Sequence, residues 1–201
     1  MMDGWARGRI DPFLNAGGGF LARAGVSADA ITLAAFGLGV AAAVAIACGW
    51  FLAGLVLLLV SRLGDGLDGA VARINGGTDF GGYLDIVLDF AFYGAIPLGF
   101  VLAAPAANAV AGAVLLLSFY VNGSSFLAYA VMAEKRELEG AARGAKSLFF
   151  TPGLAEATET LIVFIAFCLF PNWFAPIAYA FAALTFYTAL SRIVLAARTF
   201  R

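Results

Sequence analysis

The sequence predicts an all-α integral membrane protein with six transmembrane helices and a short N-terminal interfacial helix. Hydrophobic residues make up 63% of its 201 residues, charged residues make up 12%, and the mean hydropathy is +0.94. This composition lies far outside the range of soluble domains. Because the length suits one compact bundle, we expect a single membrane domain over residues 1–201, with a juxtamembrane segment at 1–24 and a six-helix bundle at 25–201.

The N-terminal segment, residues 1–20, mixes aromatic and aliphatic residues with arginine and aspartate. Such a mixture is typical of a helix that lies in the headgroup layer of a membrane. We therefore expect a short interfacial helix here, and a partly ordered tail is the alternative.

Six apolar stretches follow, and each is close to the roughly 20 residues that a membrane-spanning helix needs. The second stretch is apolar until Ser61 and polar thereafter. Short turns that contain Pro or Gly separate several of the stretches, as is usual at helix ends. The predicted spans cover residues 29–48, 51–73, 80–103, 107–133, 148–170 and 174–198.

All twelve basic residues fall on one side of this six-span arrangement. They lie before the first span, around the join of the second and third, between the fourth and fifth, and at the C-terminal end. By the positive-inside rule, both termini and the loops at 64–80 and 134–147 face the cytoplasm. We expect a multi-pass protein of a bacterial or archaeal inner membrane, with its active site on the cytoplasmic side.

Two features of the composition exclude classes of chemistry. The chain has no histidine, which excludes histidine-based general-base and triad mechanisms and disfavours a zinc site. Its net charge of −1 disfavours a nucleic-acid partner, which would require a basic face. Cys48 and Cys168 lie inside apolar runs without the neighbours of a metal or nucleophile site. Any acid–base chemistry therefore belongs to carboxylates.

Five aspartates are concentrated in the stretch Gly64–Asp89. Asp65 and Asp68 are three residues apart, so they share one face at the end of the second predicted helix. Asp85 and Asp89 are four residues apart on one face of the third helix. Because only a short link joins the two helices, we expect the two pairs to face each other near the membrane surface.

Such a cluster needs a compensating charge, because carboxylates repel and each costs about 2.5–3.5 kcal/mol deep in a bilayer. Divalent cations that prefer oxygen ligands supply it, and without histidine or thiolate ligands Mg²⁺ or Mn²⁺ is expected. Gly64, Gly66 and Gly69 weaken the helix, and we expect them to let a bulky ligand approach its backbone. Arg73 is suited to binding a phosphate, so the stretch predicts a pyrophosphate site.

These residues resemble the signature of the CDP-alcohol phosphotransferase (CDP-alcohol phosphatidyltransferase) family, D-x2-D-G-x2-A-R-x8-G-x3-D-x3-D. Seven residues rather than eight separate Arg73 from Gly81, so the loop expected to contact the nucleotide is one residue shorter here than in the family pattern. The run Asp29–Thr32 is weakly similar to the start of the first helix in that family. The matching positions are Asp65, Asp68, Gly69, Ala72, Arg73, Gly81, Asp85 and Asp89.

The resemblance implies a homodimeric, metal-dependent enzyme of phospholipid biosynthesis. It would move a phosphatidyl group from CDP-diacylglycerol to a small polar alcohol and release CMP. Asp65, Asp68, Asp85 and Asp89 would hold two divalent cations, Mg²⁺ or Mn²⁺, with Asp89 assisting the other three in metal binding and also acting as general base. The residues expected to contact the CDP moiety are Asp65, Asp68, Gly69, Arg73, Thr78 and Gly81.

The acceptor alcohol is less clearly indicated. Arg143 and Lys146 in the basic loop, together with Arg192, are candidates for binding a phosphorylated acceptor such as glycerol 3-phosphate or another polyol phosphate. The alternative is that these charges only set topology near anionic lipids. Glu156 and Glu159 are candidates for selecting a polyol or amino-alcohol, or for pairing with Arg192.

The sequence is compatible with three other functions. The first is a CDP-choline or CDP-ethanolamine type of phosphotransferase acting on a lipid alcohol. The second is a divalent-metal transporter, which would also need intramembrane carboxylates but would not require Gly69, Ala72 and Arg73. The third is a scaffold relative that has lost activity, and the intact carboxylates disfavour it.

Overall fold

The computed structural model describes residues 2–135 and 156–200, with side chains from residue 11 onward. Within these ranges it is all helical, as predicted, and contains no strand. The described residues form seven α-helices and one 3-10 turn: α1 Met2–Arg23, α2 Ala28–Ala47, α3 Phe51–Asn75, α4 Asp79–Ala103, α5 Pro105–Lys135, α6 Ala157–Leu169, the turn Pro171–Trp173, and α7 Phe174–Thr199.

Four helical segments in the described part of the chain are long and apolar enough to cross a membrane: α2, α4, α5 and Pro171–Thr199. The multi-pass prediction is therefore confirmed. Helix α3 has 25 residues, but its first 18 already contain three charged side chains. Helix α6 has 13 residues, about 20 Å of helix against a hydrocarbon core of about 30 Å. Residues 148–155 of the predicted fifth span lie outside the described residues.

The α3–α4 hairpin turns over three residues, 76–78. Gly76 ends α3 with φ 89°. Residues that carry a Cβ rarely adopt this backbone conformation. Thr78 caps α4, and its Oγ1 accepts a hydrogen bond of 2.9 Å from the backbone N–H of Gly81. This tight reversal brings the polar end of α3 beside the first turns of α4.

Helix α1 lies across the polar half of α3 at close range. A Cβ added at Gly18 would lie 2.6 Å from the Cβ of Ala70, and one added at Gly66 would lie 2.7 Å from Cδ1 of Leu14. The helix predicted for the N-terminal segment is confirmed, and it extends to Arg23. Its location in the headgroup layer stays a prediction.

A group of five fully buried phenylalanines, which we call the Phe core, joins α4, α6 and α7. The ring centroids of Phe167 and Phe174 are 4.6 Å apart, those of Phe100 and Phe174 are 5.2 Å apart, and those of Phe92 and Phe164 are 6.2 Å apart. The Phe core consists of Phe92, Phe100, Phe164, Phe167 and Phe174. It packs α4, whose first turns belong to the polar end of the bundle, against α6 and α7.

Candidate active site

Three of the four predicted aspartates meet across the α3–α4 hairpin. One carboxylate oxygen each from Asp65, Asp68 and Asp85 lie within 4.8 Å of one another. Asp68 is buried, and the other two are half-buried. Because three like charges this close repel, and because all the donors are hard oxygens, the group fits a divalent cation such as Mg²⁺ or Mn²⁺. We call these three residues the aspartate trio.

Thr32 on α2 orients the buried member of the trio. Its Oγ1 donates a hydrogen bond of 2.6 Å to Oδ2 of Asp68, so three helices contribute to the site. The sequence pattern assigns Thr32 no role, and the only signals are the N-cap at Ser27 and the weak family-like run that ends at Thr32. Oriented carboxylates hold metal ions more tightly, because partners in the outer shell restrict their geometry.

Asp89 lies apart from the trio and is held by Arg62. The Nη1 group of Arg62 donates a hydrogen bond of 2.7 Å to Oδ1 of Asp89 and lies 3.3 Å from Oδ1 of Asp65. The guanidinium carbon is 3.7 Å from the ring centroid of Phe92. Arg62 was predicted only as a topology-setting charge. Its position three residues before Asp65 on the same helix face is the signal that could have found it.

A cavity of about 320 Å³ opens beside the trio, and its size falls within the range of small-molecule sites. It is lined by the start of α2, the polar half of α3, the 76–78 link and the first turns of α4. The predicted CDP contacts that line it are Asp68, Gly69, Thr78 and Gly81, whereas Asp65 and Arg73 do not. Asp85 also lines it, as does Asp29, which the sequence pattern did not assign to the site.

The motif arginine, Arg73, is directed toward α1. Its Nη2 group donates a hydrogen bond of 3.0 Å to Oδ1 of Asn15. Its Nη1 group lies 3.6 Å from the position of a Cβ added at Gly69, a residue that lines the cavity.

The predicted role of the α3 glycines needs correction. A Cβ at Gly64 would lie 2.8 Å from the Cβ of Ala35, and the space beside Gly66 is filled by Leu14. These two glycines allow α2 and α1 to pack closely on α3. The expectation that they open the backbone to a ligand is wrong, and only Gly69 of the three borders the cavity.

Of the predicted acceptor residues, the three that the structure describes, Glu156, Glu159 and Arg192, do not line this cavity. Arg143 and Lys146 lie outside the described residues. Arg192 joins α7 to α5, because its Nη1 group lies 2.9 Å from Oδ1 of Asn122 and 2.7 Å from Oγ of Ser125. Glu156, which precedes α6, is close enough to Arg192 to interact electrostatically. Glu159 has a buried Oε2 with no hydrogen-bond partner among the described residues.

Comparisons with known proteins cover most of the chain. A family model of CDP-alcohol phosphatidyltransferases matches residues 26–191. Inner membrane protein YnjF of Escherichia coli (strain K12) is 47% identical over 193 residues, which are 96% of this chain and 94% of that protein. The archaetidylinositol phosphate synthase of Methanothermobacter thermautotrophicus is 32% identical over 179 residues, which are 86% of this chain and 84% of that protein.

The fold is also similar to that of a solved enzyme, the phosphatidylinositol phosphate synthase of Mycobacterium tuberculosis. Its structure with CDP-DAG bound has a TM-score of 0.58 at 23% identity and covers 93% of this chain and 91% of that chain. Its complex with manganese and citrate has a TM-score of 0.67 at 22% identity and covers 90% and 88%. At this identity the likeness supports the fold.

Proposed function

The chain belongs to the CDP-alcohol phosphatidyltransferase family, whose members are transferases of phosphate-containing groups, and we propose that it moves a phosphatidyl group from CDP-diacylglycerol to a small polar alcohol with release of CMP. The observation that carries this proposal is the aspartate trio, with its carboxylate oxygens within 4.8 Å, beside a cavity of about 320 Å³. A divalent cation and a nucleotide diphosphate fit these two neighbouring features.

The donor is supported by the relatives as well as by the cavity. One relative is a synthase of archaetidylinositol phosphate, and the fold neighbour from Mycobacterium tuberculosis has been solved with CDP-DAG bound. The first turn of α4 borders the cavity at Gly81 and Gly82. The N–H groups of Gly81 and Gly82 already donate to Thr78, but the dipole of α4 still favours an anion near this end of the helix. The pyrophosphate of the donor therefore suits this wall.

A divalent cation, when bound, supplies the positive charge that neutralises the pyrophosphate and the leaving CMP. The solved manganese complex of the fold neighbour supports this requirement. Asp65, Asp68 and Asp85 would hold the ion, and Thr32 would keep Asp68 oriented. Gly69, which lacks a side chain, would let the donor lie against α3, and Thr78 would keep the first turn of α4 in place.

Asp89 is the proposed general base. Its Oδ1 accepts the hydrogen bond from Arg62, so Oδ2 is the oxygen that would take the hydroxyl proton of the acceptor. The acceptor oxygen would then form a bond to the lipid-linked phosphorus of the donor. The bond from that phosphorus to the bridging oxygen would break, and CMP would leave with the electron pair.

For the acceptor we propose a polyol phosphate, with Arg192 as a phosphate ligand alongside Arg143 and Lys146. The contact between Arg192 and α5 keeps its guanidinium within the bundle. The buried Oε2 of Glu159 has no hydrogen-bond partner among the described residues. It favours the competing candidate, a neutral polyol or amino-alcohol, because such an acceptor atom is suited to a hydroxyl or amine donor.

The arrangement in the membrane belongs to the same proposal. We propose six spans, with α3 and the segment containing α6 as the second and fifth, and with the termini and the trio on the cytoplasmic side. The placement of all basic residues supports this orientation. Homodimer formation is proposed as well, with Gly37 and Ala41 on the exposed face of α2 as small residues that permit close helix contact.

Incubation of the purified protein with CDP-diacylglycerol, Mn²⁺ or Mg²⁺ and a panel of alcohols tests the function. CMP release that depends on one water-soluble acceptor supports the proposal and identifies that acceptor. CMP release only from CDP-choline or CDP-ethanolamine with a lipid alcohol would replace it with the alternative phosphotransferase. No CMP release, together with Mn²⁺ flux through proteoliposomes, would establish a transporter.

The variant Asp89→Asn tests the base. We expect nucleotide binding within about threefold of wild type and a loss of turnover of about 10²–10⁴-fold, the size of a general-base contribution. The measurements are CDP binding by calorimetry and the rate of CMP release. Unchanged turnover would remove Asp89 from the base role.

A further inference from the structure

We infer that Arg62 is the fixed cation of the aspartate cluster and that, before substrate binds, the cluster takes one divalent ion, at the aspartate trio, rather than two. Arg62 is thereby a positioning residue that keeps Asp89 beside the ion site but outside it. The inference rests on the proposed ion site and is independent of which donor or acceptor the enzyme uses.

The position of the guanidinium carries the inference. Nη1 of Arg62 lies between two carboxylates, 2.7 Å from Oδ1 of Asp89 and 3.3 Å from Oδ1 of Asp65. The side chain is 13% exposed, and its guanidinium lies over the ring of Phe92, a member of the Phe core. The arginine is therefore held from both sides, by carboxylates and by an aromatic ring.

The charge balance favours a single ion. The four aspartates contribute −4 and Arg62 contributes +1, so the cluster carries −3. One divalent cation at the trio leaves −1 on these five side chains, and a second would leave +1 on them. The guanidinium does not lose its proton in proteins, so a second ion would have to bind against a permanent positive charge.

The carboxylate oxygens available as ligands also favour a single ion. The aspartate outside the trio is Asp89, and one of its oxygens already accepts a hydrogen bond from Arg62. A second ion that used Asp89 and Asp65 would have to displace the guanidinium from both. The displaced arginine would lose its carboxylate partners while largely buried, which is costly for a charged group.

The four aspartates therefore have different roles in the reaction. Three are grouped closely enough to share an ion, and the fourth keeps one oxygen for a proton. Arg62 enforces that division, because it holds Asp89 through Oδ1 at a fixed place on α4. Arg62 contacts both a trio member, Asp65, and Asp89.

Counting bound Mn²⁺ on the full-length protein in detergent, without substrate, tests the inference. Calorimetry and electron paramagnetic resonance of the free ion should give one Mn²⁺ per chain for wild type and for Arg62→Lys, which keeps the charge. Arg62→Gln should bind two, because it frees Asp89 and removes the repelling charge. Arg192→Gln, the loss of another half-buried arginine, is the matched control and should bind one.

Two tightly bound ions on the wild type would overturn the inference, and so would a single ion on a folded Arg62→Gln variant. Should that variant not fold, Asp89→Asn decides the matter. Its Mn²⁺ affinity should stay within threefold of wild type, since Asp89 is not a ligand, and a larger loss would refute the inference. One ion without CMP release from any CDP-linked donor would instead refute the proposed function and leave this inference standing.

Discussion

Helix α4 connects two regions of opposite character, the Phe core and the aspartate trio. At Phe100 the helix is fully buried among aromatic rings. At Asp85, 15 residues earlier and about 22 Å away along the helix, it is half-buried beside two other carboxylates. Packing of rings stabilises the first region, whereas the second gathers charges that oppose folding. The molecule therefore carries its stability and its chemistry at different ends of the same helix.

Phe92 is the point where the two regions meet. Its ring lies 6.2 Å from that of Phe164 on α6 and 3.7 Å below the guanidinium carbon of Arg62. Contacts with the Phe core therefore reduce the free-energy cost of burying the charged side chains. The comparison predicts that substitutions in the aspartate trio reduce ion binding, whereas substitutions in the Phe core reduce stability.

The largest effect is expected in the trio. Asp68→Asn removes a buried ion ligand, so we expect Mn²⁺ binding to disappear and CMP release to fall by about a thousandfold, because a catalytic metal supplies several kcal/mol. The matched control is Asp79→Asn, an exposed aspartate in the first turn of α4, which should change both quantities less than about twofold. Equal losses of Mn²⁺ binding in the two variants would show that the overall negative charge of this region, rather than the trio, binds the ion.

We expect substitutions in the Phe core to lower stability without lowering Mn²⁺ affinity. Phe174→Ala leaves a cavity among Phe100 and Phe167, and we expect the free energy of unfolding to fall by about 3 kcal/mol. Unfolding in SDS measures it. The folded fraction should bind Mn²⁺ with an affinity within twofold of wild type. A tenfold loss of affinity in the folded protein would show that the two regions are not separable.

The smallest effect is expected at the contact between α2 and the trio. Thr32→Val deletes the hydrogen bond to Asp68 with little change in shape, and we expect Mn²⁺ affinity to fall about tenfold. Thr185→Val removes a buried hydroxyl that donates a hydrogen bond to the backbone oxygen of Phe181 on its own helix, α7. This variant is the control and should leave affinity unchanged. Identical affinities for Thr32→Val and wild type would remove Thr32 from the site.

Local patterns made most of the fold predictable. The predicted spans 80–103 and 51–73 differ from α4 and α3 by two residues at most. The trio could be predicted as well, since spacings of three and four residues define helix faces without any tertiary information. The link at 76–78 is short enough to bring the adjoining ends of α3 and α4 together.

The contacts that were missed depend on packing between helices. Thr32 reaches Asp68 only because α2 lies against α3, and Arg62 reaches Asp89 only because its side chain turns back along Phe92. Sequence spacing does not report these directions. The same reason explains why Gly66 could be mistaken for an opening in the backbone, when Leu14 of a distant helix fills the space beside it.

Anomalous diffraction from crystals of the protein soaked in Mn²⁺ tests the central claim most directly. The account predicts a manganese peak at bonding distance from carboxylate oxygens of Asp65, Asp68 and Asp85. A peak elsewhere in the protein, or no peak at the trio at Mn²⁺ concentrations that support CMP release, would contradict it.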